Sequence, residues 1–165
     1  MTPAQARKPF SYIDFMSKLL APRPYGGASQ PNFDPPALAP LRKPVAQSII
    51  GVFTSAGLQL PSEPLLEETN DLSYRLIDRD TPLSDLIVAH KTPVRVWAVE
   101  DANVAYPRDR LVELEQQGEI GKLAPKAVSM VGSITRFSEL VADVVPKIKQ
   151  EFDDQGVDLV LVYPF

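Results

Sequence analysis

The sequence lacks cysteine altogether, and among its 165 residues it has one histidine, His90, and one tryptophan, Trp97. Without a thiol, these residues can form no disulfide, no thiolate metal site and no thiol nucleophile. With a single imidazole, a cluster of histidine ligands is excluded and a Ser-His-Asp triad would depend on His90 alone. We therefore expect neither a metal site nor a bound cofactor within these residues.

Long apolar runs and an excess of basic charge are also absent. No stretch approaches the roughly 18–20 apolar residues of a membrane-spanning helix, and the N-terminus lacks the basic-then-apolar pattern of a signal peptide. The formal net charge is −4 and the pI is near 5.0, whereas nucleic-acid binding depends on clustered Lys and Arg. We expect a cytoplasmic protein that binds neither membranes nor nucleic acid.

Proline is distributed unevenly along the chain. Eleven of the 17 prolines lie in the first 64 residues, where they interrupt long helices and central strands. This predicts an N-terminal arm over residues 1–44, with one short amphipathic helix at 11–20 followed by a proline-rich segment. The arm either lies over the domain or reaches a neighbouring subunit, and disorder is the alternative. Residues 45–165 are predicted to form one α/β domain.

Within that domain the hydrophobic pattern alternates between strands and helices. Strands are predicted at 48–57, 94–99, 127–131 and 157–163, with a short edge strand in the long loop 60–86. The last strand is a continuous apolar run, which is typical of a strand covered on both faces. Trp97, within a predicted strand, is expected in the core.

Two helices complete the pattern. One follows Pro107 and ends before Gly118, and the other runs from about residue 135 to 154 with Pro146 kinking or dividing it. The order strand, helix, strand predicts an open, doubly wound parallel sheet of the Rossmann or flavodoxin-like type.

In such sheets, ligands bind at the carboxyl ends of the strands. The residues that the pattern places there are Thr54, Ser55, Gly57, Glu100, Asp101, Asn103, Ser129, Gly132 and Tyr163. A structural interpretation stands beside each: Thr54 to Gly57 could be only a tight turn, and Asp101 and Asn103 could form an Asx turn that caps the next helix.

Three further side chains have plausible chemistry. Arg108 and Arg110 could hold a substrate carboxylate bidentately, or they could pair with surface carboxylates. His90 could act as a general acid for a leaving amine because its ordinary pKa is near neutrality, although a lone histidine is more often structural.

Several ordered motifs resemble one known family, the component B selenoproteins of glycine, sarcosine, betaine and D-proline reductases. The motifs are Pro40-Leu-Arg-Lys-Pro44 before the strand ending Thr54-Ser-Ala-Gly57, Asp80-Thr-Pro-Leu-Ser-Asp-Leu86 up to His90, Asp101-Ala-Asn-Val-Ala-Tyr-Pro-Arg-Asp-Arg-Leu111, Gly118-Glu-Ile-Gly121 and Leu123-Ala-Pro125. The chain departs from the family at Lys91-Thr-Pro-Val94, where a segment rich in tyrosine and aspartate is usual. This departure leaves the substrate open.

The resemblance implies an enzyme in which a selenocysteine or cysteine follows the strand matching 158–165. That nucleophile attacks the α-carbon of an amine that a partner's pyruvoyl group activates, forms a selenoether and releases the amine. Here the nucleophile would lie beyond Phe165 if a UGA selenocysteine codon has been read as a stop. It would lie on a partner chain if the enzyme is divided into two chains. A degenerate, non-catalytic subunit is the third possibility.

Two functional hypotheses follow. The first is part of a reductase that acts on a small amine-containing substrate within a homo- or hetero-oligomer, with the isolated chain inactive. The second is a non-catalytic interaction subunit whose arm holds a neighbour.

Overall fold

The computed structural model describes residues 39–165, which lie in one compact unit spanning Ala37–Phe165. The predicted helix at 11–20 and most of the predicted arm lie outside the described residues. The division at residue 44 therefore stays a prediction.

Seven strands, four short helices and four irregular helical turns make up this unit. The strands are β1 Ile49–Thr54, β2 Leu58–Gln59, β3 Arg75–Asp78, β4 Ile87–Val88, β5 Lys122–Leu123, β6 Lys126–Ser129 and β7 Leu159–Tyr163. The helices are α1 Arg95–Glu100, α2 Arg108–Gln116, α3 Phe137–Glu139 and α4 Val145–Asp154. The turns are 3-10 helical at Val45–Gln47, Leu83–Asp85 and Ala102–Val104, and π-helical at Leu140–Val144.

The main sheet is built around β1. One edge of β1 pairs in parallel with β7, and the other pairs in parallel with β5 near its start and with β6 near its end. Strand β3 adds to β6 in the antiparallel sense, while β2 and β4 form a separate antiparallel pair. The structure thus confirms a mixed α/β fold with a curled, mostly parallel sheet. The Rossmann or flavodoxin-like assignment stays a prediction.

Apolar side chains pack on both faces of the sheet because successive strand residues point in opposite directions. Ile50 and Val52 belong to a buried cluster that includes Ala98 of α1 and Leu111 of α2. Phe53 packs against a second cluster that includes Phe152 of α4. Helices therefore cover β1 on both sides, and the carboxyl ends of the strands form the edge between these two layers.

The segment 94–99, predicted as a strand, is helical. Helix α1 covers Arg95–Glu100, and the backbone N–H of Asp101 donates to the carbonyl of Trp97 at 2.8 Å. Only Ala98 is buried in this helix, and Trp97 is 57% exposed, so its expected place in the core was also wrong. A short apolar run does not by itself distinguish a strand from a helix that packs through one small residue.

The predicted helix over 135–154 is divided, as Pro146 indicated. Helix α3 passes into the π-helical turn Leu140–Val144, and α4 then begins with Pro146 in its first turn. Proline has no N–H to donate to the carbonyl four residues earlier, so a wider turn before it avoids an unmade bond. Among residues 39–165, no helix combines the length and the apolarity that crossing a membrane requires.

Strand β7 is not covered on both faces within this unit, contrary to the prediction. Leu159 is 40% exposed, Leu161 37% and Val162 63%. The reason is its position, because within the described residues β7 pairs only with β1 and forms an edge of the sheet. An apolar edge strand of this kind is a ready surface for further pairing.

Gly121 allows the chain before β5 to pass close to the segment before β1. A Cβ atom at Gly121 would lie 2.6 Å from the carbonyl carbon of Gln47 and 2.7 Å from the backbone N of Ser48. These are backbone atoms, which no rotamer change can move aside.

We expect Gly121→Ala to lower the free energy of unfolding by about 3 kcal/mol or more, because the backbones of two strand entries must separate. Gly118→Ala is the control: its φ of +75° is strained for alanine, but no atom lies within 4 Å of the new Cβ. That control should cost only about 1–2 kcal/mol. Urea unfolding measures both, and equal losses would contradict the close approach at Gly121.

Candidate functional site

The carboxyl ends of three parallel strands meet at one edge of the sheet. Thr54 of β1 is in register with Ser129 of β6 on one side and with Tyr163 of β7 on the other. The structure therefore brings together the groups predicted after β1, β6 and β7. Whether they bind a ligand stays a prediction.

Thr54 and Ser129 are fully buried and use their hydroxyl groups inside the protein. Thr54 Oγ1 donates to the carbonyl of Ala105 at 2.7 Å and accepts from the N–H of Ala56 at 3.2 Å. Ser129 Oγ accepts from the N–H of Leu58 at 2.6 Å. These two side chains hold the turn after β1 in place and do not face solvent.

Ser55 joins the ends of β1 and β7. Its N–H donates to the carbonyl of Tyr163 at 3.3 Å, which extends the parallel pairing by one bond. Its Oγ accepts from the N–H of Phe165 at 2.9 Å. Ser55 thus fixes the direction in which the chain leaves β7.

His90 lies beside this junction and is 9% exposed. Its Nδ1 accepts from the N–H of Gly132 at 3.3 Å, and its backbone N–H donates to the carbonyl of Ala56 at 3.2 Å. The ring of Phe165 stands edge-on to the imidazole, with centroids 6.4 Å apart and an angle of 73°. Burial lowers the pKa of His90 below its ordinary value of 6.5, since a buried ring disfavours the charged form.

Two glycines make this close arrangement possible. Gly57 has a φ of +63°, and a Cβ there would lie 2.8 Å from Cγ1 of Val131. A Cβ at Gly132 would lie 3.2 Å from Ser55 Cβ and 3.4 Å from both Ser55 Oγ and His90 Cε1. Ser55, His90, Gly132 and Phe165 therefore form one group, which we call the β1–β7 cluster.

Glu100, Asp101 and Asn103 lie elsewhere, in a cleft of about 530 Å³ between α1 and the segment Leu83–Val88. Glu100 was predicted to follow a strand, but it is the last residue of helix α1. The error follows directly from the wrong assignment of 94–99. The sequence grouped these three residues with the strand ends, whereas they line this cleft.

Asp101 and Asn103 form an Asx turn, the structural alternative considered for them. Asp101 Oδ1 accepts from the backbone N–H of Asn103 at 2.9 Å, and this bond is the main reason that the pKa of Asp101 is lowered. Asn103 Oδ1 accepts from the N–H of Asp109 at 3.0 Å, in the first turn of α2. Both side chains therefore contribute to the start of this helix.

The two arginines have different surroundings. Arg108 Nη1 donates to the carbonyls of Arg79 at 2.7 Å and Thr81 at 3.0 Å, and its Nε donates to Asp109 at 2.7 Å. Arg110 forms an exposed ion pair with Glu113 at 2.8 Å. Arg108 thus ties α2 to the loop after β3, which leaves less of its guanidinium free for a ligand.

Tyr106 and Phe165 were missed by the sequence analysis. Tyr106 is 1% exposed, and its Oη has no hydrogen-bond partner within residues 39–165. Burial raises the pKa of Tyr106 to about 12, so the phenol stays protonated. Tyr106 could have been noticed because it lies in the motif directly before Pro107, whereas nothing in the sequence places Phe165 against His90.

In the described part of the chain, no group of three or more acidic or histidine side chains could hold a metal ion.

Comparison with known proteins identifies the family to which this sequence belongs. The sequence model of glycine/sarcosine/betaine reductase selenoprotein B matches residues 30–163. The chain belongs to this family. It is also similar to D-proline reductase subunit gamma of Acetoanaerobium sticklandii, with 26% identity over 132 residues, which are 80% of this chain and 54% of that protein. The chain thus spans about half the length of this relative. No solved structure matches.

Protonation of His90 should destabilise the β1–β7 cluster, because a proton on Nδ1 would face the Gly132 N–H. The folded pKa lies below 6.5, so between the two pKa values the unfolded chain binds more protons and acid favours unfolding. This stabilising contribution is present above pH 6.5 and is lost as the pH falls through that window.

NMR measures the pKa of the His90 imidazole. Urea unfolding of the wild type and of His90→Gln, the control, measures the free energy of unfolding over the same pH range. The difference in unfolding free energy between the wild type and His90→Gln should shrink with falling pH. A His90 pKa at or above 6.5 would contradict this account.

We expect Asn103→Ala to lower the free energy of unfolding by about 1 kcal/mol, because the Asp109 N–H at the start of α2 loses its acceptor. Arg110→Ala, which removes only an exposed pair on the same helix, should cost less than about 0.5 kcal/mol. Thermal or urea unfolding distinguishes them. Equal effects would show that the Asn103 bond does not cap the helix.

Proposed function

We propose that this chain is a subunit or part of a reductase of the glycine, betaine or D-proline type. In this proposal the complex cleaves a C–N bond, or a related bond, in a small substrate. The nucleophilic selenocysteine or cysteine lies beyond Phe165 or on a partner chain, because the sequence contains no cysteine. The isolated chain is then inactive.

Family membership over 30–163 supports this proposal, together with the name of the relative that matches most of the chain. The chemistry replaces a C–N bond by a C–H and an N–H bond, which consumes two electrons and two protons. The electrons must come from an external donor. A selenocysteine is a suitable nucleophile for the first step, because at neutral pH a larger fraction of a selenol than of a thiol is ionised.

The observation that carries the proposal is the meeting of β1 and β7 at the β1–β7 cluster. Ser55 holds the N–H of Phe165, and His90 packs against the same residue. A nucleophile placed just after β7, or supplied there by a partner, would lie next to an imidazole and a hydroxyl group. This is the edge at which open α/β sheets bind ligands.

In this proposal His90 hydrogen-bonds the substrate and does not deliver the proton to the leaving amine. Its lowered pKa keeps most of the ring neutral at pH 7, and neutral imidazole is a weak acid. Thr54, Gly57 and Ser129 shape the edge. Asp101 and Asn103 would bind the substrate only if it reached the cleft beside α1, which Arg108 and Arg110 do not line.

A second function, that of a non-catalytic interaction subunit, is favoured by the exposed apolar surface. The edge strand β7 exposes Leu159, Leu161 and Val162, and helix α1 exposes Trp97 and Val99. Contiguous exposed apolar surface often marks an interface between chains, so these residues fit a homo- or hetero-oligomer. The two functions differ in whether the complex contains a nucleophile.

The test is purification of the tagged chain from its native source, with partners and any longer product identified by mass spectrometry. We expect a complex that contains selenocysteine or cysteine and consumes glycine, sarcosine, betaine or D-proline in the presence of a dithiol. The chain alone should show no turnover. Alkylation with iodoacetate should abolish the activity of the complex, and growth without selenium should lower it if the nucleophile is selenocysteine.

A complex that contains no selenocysteine or cysteine would overturn the reductase proposal and favour the interaction subunit. Turnover by the isolated chain would contradict the statement that it is inactive. In parallel, the nucleotide sequence after codon 165 distinguishes a readthrough product from a second gene.

A further inference from the structure

Strand β7 has a hydrogen-bonding edge with no strand beside it. The carbonyl of Tyr163 accepts the Ser55 N–H, so the backbone groups of Tyr163 face β1. Residues of a parallel strand alternate in the side to which both their N–H and C=O point, so Leu161 also faces β1. Val160 and Val162 therefore face away from it. In the described part of the chain β7 pairs only with β1, which leaves these two residues without a neighbouring strand.

One face of β7 is uncovered as well. Val160 packs with the cluster that includes Phe152 of α4, so this helix lies against one face of the strand. Leu159 and Leu161 point to the opposite face, because successive strand residues alternate, and they are 40% and 37% exposed. Among the residues that the structure describes, β7 thus lacks both a second neighbour and full cover for this face.

The sequence of β7 is that of an internal strand. Between Leu159 and Tyr163 it contains no charged residue and no proline, which are the features by which natural edge strands avoid further pairing. A continuous apolar run is typical of a parallel strand that is covered on both faces. The strand is therefore suited to accept another strand along Val160 and Val162.

The family comparison indicates which polypeptide supplies that strand. The match to the Acetoanaerobium sticklandii relative covers 132 residues, which are 54% of that protein, so nearly half of it has no counterpart in the matched region. This remainder is almost as long as the matched part and far exceeds the roughly 30 residues of one βαβ unit. It is long enough to supply both a strand and a covering helix.

We propose that the free edge of β7 pairs with a strand from the polypeptide region that corresponds to this unmatched half of the relative. The added strand bonds the outward N–H and C=O groups of Val160 and Val162, and the chain attached to it covers Leu159 and Leu161. The region is on a partner or on a longer product of the same gene. The inference depends on family membership and on the geometry of β7, and not on the reductase reaction.

Amide hydrogen exchange tests this pairing at single residues. In the isolated chain Val160 and Val162 should exchange fast, whereas Leu161, whose N–H faces β1, should exchange slowly. In the complex or longer product purified from the native source, Val160 and Val162 should exchange about a hundredfold more slowly, because their N–H groups gain acceptors. Leu161 is the internal control and should change less.

A proline at position 162 separates edge pairing from folding. Val162→Pro removes an N–H that faces away from β1, a position in which edge strands tolerate proline. The isolated variant should therefore unfold cooperatively, as the wild type does. In the assembled protein it should speed the exchange of Val160 by at least about tenfold. Val162→Thr keeps the N–H and the β-branched shape, so this matched control should retain the protection.

A photo-cross-linker at position 162 identifies the added strand. The Val162 side chain is 63% exposed, so a benzophenone-bearing phenylalanine can replace it without displacing core residues. After irradiation of the assembled protein, mass spectrometry should recover a cross-link to a peptide that aligns with the unmatched half of the relative. The same group in place of Arg110, an exposed residue of α2, should give no such cross-link.

Slow exchange of Val160 and Val162 together with this cross-link would support the inference. It would be overturned by exchange as fast as in the isolated chain, by a chain that purifies alone, or by cross-links only to a second copy or to an unrelated protein. Exchange and cross-linking decide the matter even if Val162→Pro does not fold. An assembly that shows the pairing but no reductase activity would contradict the proposed function alone, and an active complex with an unpaired β7 edge would remove this inference alone.

Discussion

The parallel pairing of β7 with β1 is the contact on which the candidate site depends. Its start is held by Asp158, whose Oδ2 accepts the Ile49 N–H at 2.8 Å and pairs with Lys43 at 2.7 Å. The Lys43 ammonium also lowers the pKa of Asp158, so this anchor remains ionised well into the acid range. At the other end, Ser55 bonds the backbone on both sides of Pro164. Clamped at both ends, β7 places the following backbone beside His90.

The strand ends differ in how their hydroxyl groups are used. After β1 and β6, the Thr54 and Ser129 hydroxyls are used to hold the chain, and burial leaves them no access to solvent. Ser55, the residue after β1, is only half-buried, and its Oγ accepts the Phe165 N–H.

The sequence predicted the features that depend on local chemistry. Pro107 and Gly118 bound helix α2, Pro146 divides the second helix, and the apolar runs give β1, β6 and β7. The wrong predictions all concern what a segment packs against in the folded chain. Helix α1 differs from a strand only through what it packs on, and the exposure of β7 depends on which strands lie beside it. The contact between Phe165 and His90 joins residues 75 positions apart, which no local pattern encodes.

Membership in a reductase family and the absence of cysteine in the chain constrain the chemistry together. Under the proposed function, reductive cleavage needs a nucleophile from outside these residues and a site that orients the substrate against it. The β1–β7 cluster places the Ser55 hydroxyl, the His90 imidazole and the Phe165 ring beside one another. Under the proposed function, this cluster would position a substrate while the nucleophile comes from elsewhere. Separating positioning groups on β1 from a nucleophile associated with β7 would explain why the junction of these two strands is held so firmly.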